Sequence, residues 1–421
     1  MRRVSLIRRG VSLIAIAVTL SGAVLITAPY AHGVSFVIRA ADLQGTPRRL
    51  ADLDTRAVQQ REIAIPTPRG SLRGRVYTPN NAGPGSRATL LTSGLHVSGI
   101  DEPRLTRLAH ELAASGMVVV TPDIPELSRF EISPAITDAI ERAAVWLATE
   151  SGLDGDERIG MMGISFSGGL SIIAAGRPSL KDHVNYVFSF GGHADLPRVL
   201  RYLCTGIEPM PKGRVRLKPD ATTAPTADRG PDQSGVRLQP DQPFVLPPHD
   251  YGVAVLLLAM ADRLVPAAQV VPLRDAIRRY LTASALDSNV DKEKAAREFD
   301  ALKQLATTMR EPSATLLRYI NERDVVHLGA RLLPIVGSYG SDPALSESRS
   351  PKPAAPVFLL HGVDDNVIPS IESEYLADDL RPKVPIRLLL SGLISHAEAD
   401  RPMHVNDIVQ LASFWGDLLS R

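Results

Sequence analysis

Gly163-Ile164-Ser165-Phe166-Ser167-Gly168-Gly169 is the stretch of this 421-residue sequence best suited to chemistry. An apolar run, Ile159 to Ile164, leads into Ser165, and Leu170 to Ala175 continues with a helical pattern. A strand, a very tight turn and a helix would push the serine hydroxyl out of the sheet above a helix N-terminus. Such a turn is strained and brings two backbones together, so it needs small neighbours. Gly163 stands two residues before the serine, as the pattern G-x-S-x-G asks, while Ser167 replaces the second glycine and Gly168 and Gly169 follow it. The reading is a nucleophilic serine. A phosphate-binding turn is the competing use of such a loop, but neither G-x-G-x-x-G nor G-K-[ST] is present.

A serine hydroxyl attacks only when a base takes its proton, and the base needs an acid to fix its tautomer. Of ten histidines, His396 in Ser391-Gly392-Leu393-Ile394-Ser395-His396 is best placed, in a loop just past the last expected strand. The acid is sought in His361-Gly362-Val363-Asp364-Asp365-Asn366-Val367-Ile368-Pro369, past the preceding strand, where Asp365 and its neighbour Asp364 are available. His193 ends another strand and should face the same crevice, and His96 lies in a loop near it; both are candidates for substrate contact. His361 is expected to hold the acid loop, and Asp123 to serve a turn or a helix cap. No His, Asp and Glu set has metal-ligand spacing, and no cofactor is expected. The lone Cys204 excludes an intramolecular disulfide and reads as a core or lid thiol.

These groups must be positioned by a scaffold. Glu62 to Pro66 and Leu72 to Pro79 read as a hairpin, with apolar and polar residues alternating about Pro68-Arg69-Gly70. From residue 88 strands and helices alternate: strand 88–92, helix 102–114, strand 117–121, helix 132–150, strand 158–164 and strand 184–190. That grammar predicts an α/β fold, a mostly parallel doubly wound sheet with ligands gathered at the carboxyl ends of its strands. The alternation stops at Asp195. Residues 211–248 are rich in Pro, Gly, Asp and Thr and carry one echo, Val215 to Asp220 repeated as Val236 to Asp241, read as a disordered insertion. Helical patterns follow at 251–262, 267–281, 291–309 and 313–335, expected to form a cap. The sheet resumes at 355–360 and 385–390, with helices at 371–380 and 404–419.

Over about Glu62–Ala194 and Ala355–Leu419 the chain resembles the α/β-hydrolase superfamily, of serine esterases, lipases and dienelactone hydrolases. The resemblance rests on Gly163-Ile164-Ser165, the HGxxDxxxP-like loop at 361–369 and the late His396. It implies that the acid sits four residues after the loop histidine, which selects Asp365 over Asp364. It also implies an oxyanion hole made by the N–H after the nucleophile, Phe166, and by one in Ser93-Gly94-Leu95-His96. Leu95 N–H is the candidate and His96 N–H the alternative, since Ser93-Gly94-Leu95 stands where members often have His-Gly-x.

Hydrophobic content of 44% and a net charge of +1 describe a globular protein and argue against a nucleic-acid or polyanion partner. Arg2, Arg3, Arg8 and Arg9 precede an apolar stretch, Val11 to Ala31, with no formal charge until Arg39. It is long enough to span a bilayer, and Ala28-Pro29-Tyr30-Ala31 is a poor cleavage site. The division expected is a signal anchor or cleaved signal peptide over 1–40, a linker over 41–60, core over 61–194, cap over 195–354 and core again over 355–421. The body would be exported, periplasmic or extracellular, and held at the membrane, or secreted after cleavage. The function expected is hydrolysis of a carboxylic ester or similar acyl bond on a small-molecule or lipid-like substrate. A peptidase, thioesterase or acyltransferase on the same triad, or a non-catalytic binding scaffold, are the rivals.

Overall fold

A computed structural model describes residues 29–68, 70–83, 85–153, 155, 158–208, 245–287, 291–394 and 405–421. Among the described residues eight strands form one sheet: β1 (Val58–Thr67), β2 (Gly70–Pro79), β3 (Ala88–Thr92), β4 (Val118–Pro122), β5 (Ile159–Ile164), β6 (Val184–Phe190), β7 (Val357–Gly362) and β8 (Ile386–Ser391). Their order is β1-β2-β4-β3-β5-β6-β7-β8. β1 and β2 are the antiparallel hairpin read from the sequence, and β2 joins β4 antiparallel; every later pairing is parallel. This is the α/β-hydrolase fold, with its expected doubly wound sheet.

The parallel strands are short apolar runs because both their faces are covered. β3, β4 and most of β5 are fully buried. Helices Pro134–Thr149, Phe166–Ala175 and Ile371–Leu380 pack on one face, against Leu90, Val118, Met161 and Leu359. Pro103–Ala114 and Val405–Leu419 cover the other, where Leu105 and Phe414 meet Leu91, Met162, Phe188 and Phe358. From β3 the chain winds outward to β4 and then returns past β3 to β5. The carboxyl ends of β3 and β5 are therefore neighbours, Thr92 beside Gly163, at the switch point where such sheets open a crevice.

The N-terminal region differs from expectation at its boundary. Residues 29–40 are helical and docked on the body. Phe36 is fully buried with its ring 4.4 Å from Trp415, and a Cβ on Gly33 would stand 1.9 Å from the Ala412 carbonyl oxygen. Buried Arg39 pairs with Glu111 at 2.6 Å. An anchor drawn to residue 40 therefore overruns a segment that belongs to the packed protein; the stretch after it, read as a linker with some helix, carries the helix Thr46–Ala51. Residues 1–28, with most of the apolar stretch, lie outside the described residues. Among the described residues no helix is long and apolar enough to cross a membrane.

Among the described residues the insertion after β6 is mainly helical. Helix Leu196–Thr205, which the sequence reading overlooked, leads into it; Asp250–Leu264, Ala267–Asp287, Lys292–Thr308, Ser313–Asn321 and Val325–Val336 follow. The last two were expected as one helix. The chain breaks there at Arg323, with φ 54, and Asp324 restarts it by accepting the His327 N–H at 3.0 Å. Most of the insertion read as disordered, 211–244 of 211–248, lies outside the described residues.

Candidate active site

Ser165 follows β5 with φ 56 and ψ −126, a backbone state that costs a side-chain-bearing residue about 1–3 kcal/mol. Backbone bonds of its own and the neighbouring Ser167 hydroxyl hold the turn. The Ser165 N–H donates to the Phe190 carbonyl at 2.6 Å, and its own carbonyl accepts the Gly168 N–H at 2.8 Å. The Ser167 hydroxyl accepts the Ile164 N–H at 3.0 Å and lies 3.0 Å from the carbonyl oxygens of Thr92 and Ile164. Ser167 thus ties the ends of β3 and β5 together.

The glycines around it show why that substitution is tolerated. A Cβ on Gly163 would come within 2.3 Å of the Ser167 carbonyl oxygen; on Gly168, within 2.6 Å of Ser189 Oγ; on Gly169, within 2.5 Å of the His193 carbonyl oxygen. These three positions need glycine because helix Phe166–Ala175 lies directly on β5 and on the turn after β6. Position 167 faces the end of β3, where a hydroxymethyl group fits and bonds.

The loop after β3 lies over the turn: a Cβ on Gly94 would stand 3.4 Å from Ser165 Cβ. Among the described residues no acceptor takes the N–H groups of Leu95, His96 or Phe166. The first turn of a helix leaves its N–H groups without intrahelical partners, so Phe166 N–H is available for a developing negative charge. His96 is half-buried, and its Nδ1 accepts the Ser98 N–H at 3.2 Å. Burial lowers its pKa against the pull of Glu102, so the ring is neutral and its local work is to close the loop.

Asp365 follows β7 and is 1% exposed. Its Oδ1 accepts the N–H groups of Val367 and Ile368, at 2.9 and 3.0 Å, and its Oδ2 lies 3.3 Å from His361 Nε2. Asp364 is exposed. His361 is fully buried, with Nε2 2.9 Å from the Ile368 carbonyl and Nδ1 2.7 Å from Ser373 Oγ. Nε2–H donates to that carbonyl, and Nδ1 accepts from the serine. The histidine holds the acid loop, as expected for it. The end of β6 connects Asp365 and Ser165: Phe190 grips the Ser165 N–H, and a Cβ on the next residue, Gly191, would stand 3.5 Å from Asp365 Oδ2.

His396 lies outside the described residues. The described part of its loop ends at Ile394, which runs across the acid loop: a Cβ on Gly362 would meet the Ile394 carbonyl oxygen at 2.4 Å.

His193 departs from its expected role as a pocket residue. It is fully buried; its ring stacks on Phe166 at 5.1 Å and 4°, and Nε2–H donates to the Leu345 carbonyl at 2.9 Å. Burial lowers its pKa. A neutral ring enclosed on this scale touches Phe166, the residue after Ser165, but offers no face to a ligand. Asp123 is likewise local, paired with Arg73 at 3.4 Å. Burial pushes the Cys204 thiol up to about 12, which leaves it inert. Among the described residues no group of three or more His, Cys, Asp and Glu side chains could hold a metal.

Several supporting residues carried no sequence signal, because their partners are distant in the chain. Tyr202 of helix Leu196–Thr205 donates to the Asn366 carbonyl at 3.3 Å, bracing the acid loop. Fully buried Glu372 accepts the N–H groups of Ala194 and Asp195 at 3.0 and 3.2 Å and pairs with Arg198 at 2.5 Å. Burial opposes the charge on Arg198, and Glu372 more than offsets it, so the guanidinium is held above its usual pKa. Removing one member of such a pair strands the other, at a cost of about 3–5 kcal/mol. Arg198→Met is expected to lower unfolding free energy by that amount in a denaturant titration, whereas Arg201→Met, at an exposed position of the same helix, should leave it nearly unchanged.

Glu347 is fully buried beside Lys352, whose ammonium lies 2.7 Å from Oε1 but spends hydrogen bonds on the Glu347 carbonyl and on Asp379. Burial raises the Glu347 pKa from 4.5 to about 7, against the pull of Lys352. Between those two pH values the folded chain binds more protons than the unfolded one, so this group's contribution to stability falls as pH rises through the window, by at most about 3 kcal/mol. Chemical denaturation of Glu347→Gln at pH 4.5 and pH 7 should show that loss removed relative to the unaltered protein; equal pH slopes would contradict it.

No protein-family model matches the chain, and no curated protein matches it. Solved structures do. A hyperthermophilic esterase from the archaeon Pyrobaculum calidifontis is 16% identical over 93% of this chain and 93% of its own, with a TM-score of 0.41. Brefeldin A esterase, a bacterial homologue of human hormone-sensitive lipase, is 14% identical over 94% of this chain and 84% of its own, with a TM-score of 0.43. A thermostable esterase from Pseudomonas putida is 11% identical over 91% of this chain and 84% of its own, with a TM-score of 0.42.

Proposed function

We propose that the chain is a serine hydrolase that cleaves a carboxylic ester, or a similar acyl bond, of a small-molecule or lipid-like substrate. The observation that carries this reading is Ser165 held in a strained backbone state at a helix N-terminus, with a buried carboxylate on the same sheet rim. Strain of that kind persists only where the surroundings over-determine it, and it gathers at functional sites.

In the proposed reaction Ser165 Oγ attacks the acyl carbon as its proton passes to His396. Asp365 stabilises the imidazolium, and the oxyanion is held by the N–H groups of Phe166 and of Leu95 or His96. Collapse expels the alcohol, which takes the proton from His396. Water, deprotonated by the same imidazole, then attacks the acyl-serine and releases the acid, with Ser165 reprotonated. The cycle needs no cofactor. The basic N-terminal flank and the apolar stretch after it support an exported body held at a membrane, which fractionation of expressing cells would test.

Chromogenic esters of increasing acyl length test the activity. Turnover with an initial burst near one equivalent per chain is the expected result. A folded protein that neither turns over nor bursts on any of them would favour the non-catalytic scaffold, while cleavage of amides or thioesters in preference to esters would move the assignment within the hydrolases.

A further inference from the structure

A hydroxyl of the cap reaches the oxyanion loop. Tyr251, in the first turn of helix Asp250–Leu264, donates its O–H to the Leu95 carbonyl. That carbonyl and the His96 N–H belong to one planar peptide group and point to opposite edges of it. Gripping the oxygen therefore fixes the rotation of the peptide that carries His96 N–H and limits that of the neighbouring Leu95 N–H. The gripped segment is the one poised over Ser165 at Gly94.

The tyrosine is itself held on two sides. Its ring meets Phe130 edge-on at 6.0 Å and 78°. Its N–H donates to His249 Nδ1 at 3.2 Å, and the His249 N–H donates to the carbonyl of Asn366 at 2.8 Å, the residue after Asp365. Residues 249–251 thus bridge the oxyanion loop and the acid loop. Burial raises the pKa of the Tyr251 phenol, so it stays protonated and remains a donor.

We infer that Tyr251 is a positioning residue for the oxyanion hole, which makes the cap part of the catalytic apparatus as well as its cover. The inference rests on the serine-hydrolase reading above.

Tyr251→Phe keeps the ring against Phe130 and deletes one hydroxyl. Loss of a direct oxyanion donor costs 100- to 1,000-fold in turnover, so loss of a residue acting through one is expected to lower kcat about 10- to 100-fold. KM should stay within about twofold, because the interaction matters only once charge has developed. Affinity for a trifluoromethyl ketone, which forms a tetrahedral adduct on the serine, should fall by the same factor as kcat, while binding of the product acid is unchanged. If the phenylalanine variant melts at a lower temperature, 4-aminophenylalanine at 251 decides: its retained donor should restore kcat to within about threefold. A folded Tyr251→Phe with undiminished kcat and ketone affinity would overturn the inference. So would 4-aminophenylalanine failing to restore the rate. An unaltered protein without turnover would instead sink the hydrolase reading.

Discussion

Ser165→Ala is expected to lower ester turnover by roughly 10,000-fold or more while the melting temperature stays near that of the unaltered protein. The two effects separate because the substitution removes a single oxygen. Both side chains carry a Cβ, so the strain of φ 56 is common to them. What holds the turn is backbone: the Ser165 N–H on Phe190, the Gly168 N–H on Ser165, and Ser167 across to Thr92. None of these uses Ser165 Oγ. A residue above the helix N-terminus that served only packing would give a different result, some loss of stability with no specific loss of rate.

The second large effect separates two adjacent carboxylates. Asp365→Asn should lower kcat by roughly 10,000-fold, since an amide in place of the acid presents the wrong partner to the base and fixes the wrong tautomer. Asp364→Asn should leave kcat within about twofold, as expected of surface substitutions away from the chemistry. The difference follows from burial and bonding. Asp365 is enclosed, with Oδ1 saturated by two backbone N–H groups, so its orientation is fixed by the loop; Asp364 faces solvent. Steady-state kinetics of both variants would check this. Equal losses, or the larger loss at 364, would put the acid at the wrong residue.

How much of this was legible in the sequence depended on the range of the forces involved. The eight strands could be read because each is a short apolar or alternating run, and their common face is a consequence of chain order. The elbow was legible because backbone crowding demands glycine at 163, and the acid loop because His361 and Asp365 lie on one short turn. Ser167 looked like a flaw in the motif until the end of β3 was seen to supply its hydrogen-bond partner. His193 was misjudged for a similar reason. Its position at a strand end points toward the crevice, but Phe166 and Leu345, far away in sequence, close over the ring. Tyr251, Tyr202 and the Arg198–Glu372 pair left no local trace, because each contact spans 156 residues or more. The helix at 29–40 was hidden by its own composition: apolar residues that could enter a bilayer equally well cover Trp415, and the close approach of Gly33 to Ala412 and the buried Arg39–Glu111 pair show which use the fold makes of them.

The central claim is that the Ser165 oxygen forms a covalent bond with the acyl carbon. Treating the folded protein with a fluorophosphonate and mapping the adduct by peptide mass spectrometry tests it most directly. One phosphonyl group on the peptide that contains Ser165, absent after Ser165→Ala and suppressed by a slow ester substrate, is the predicted result. An adduct on a different residue, or none on protein shown to be folded, would contradict it.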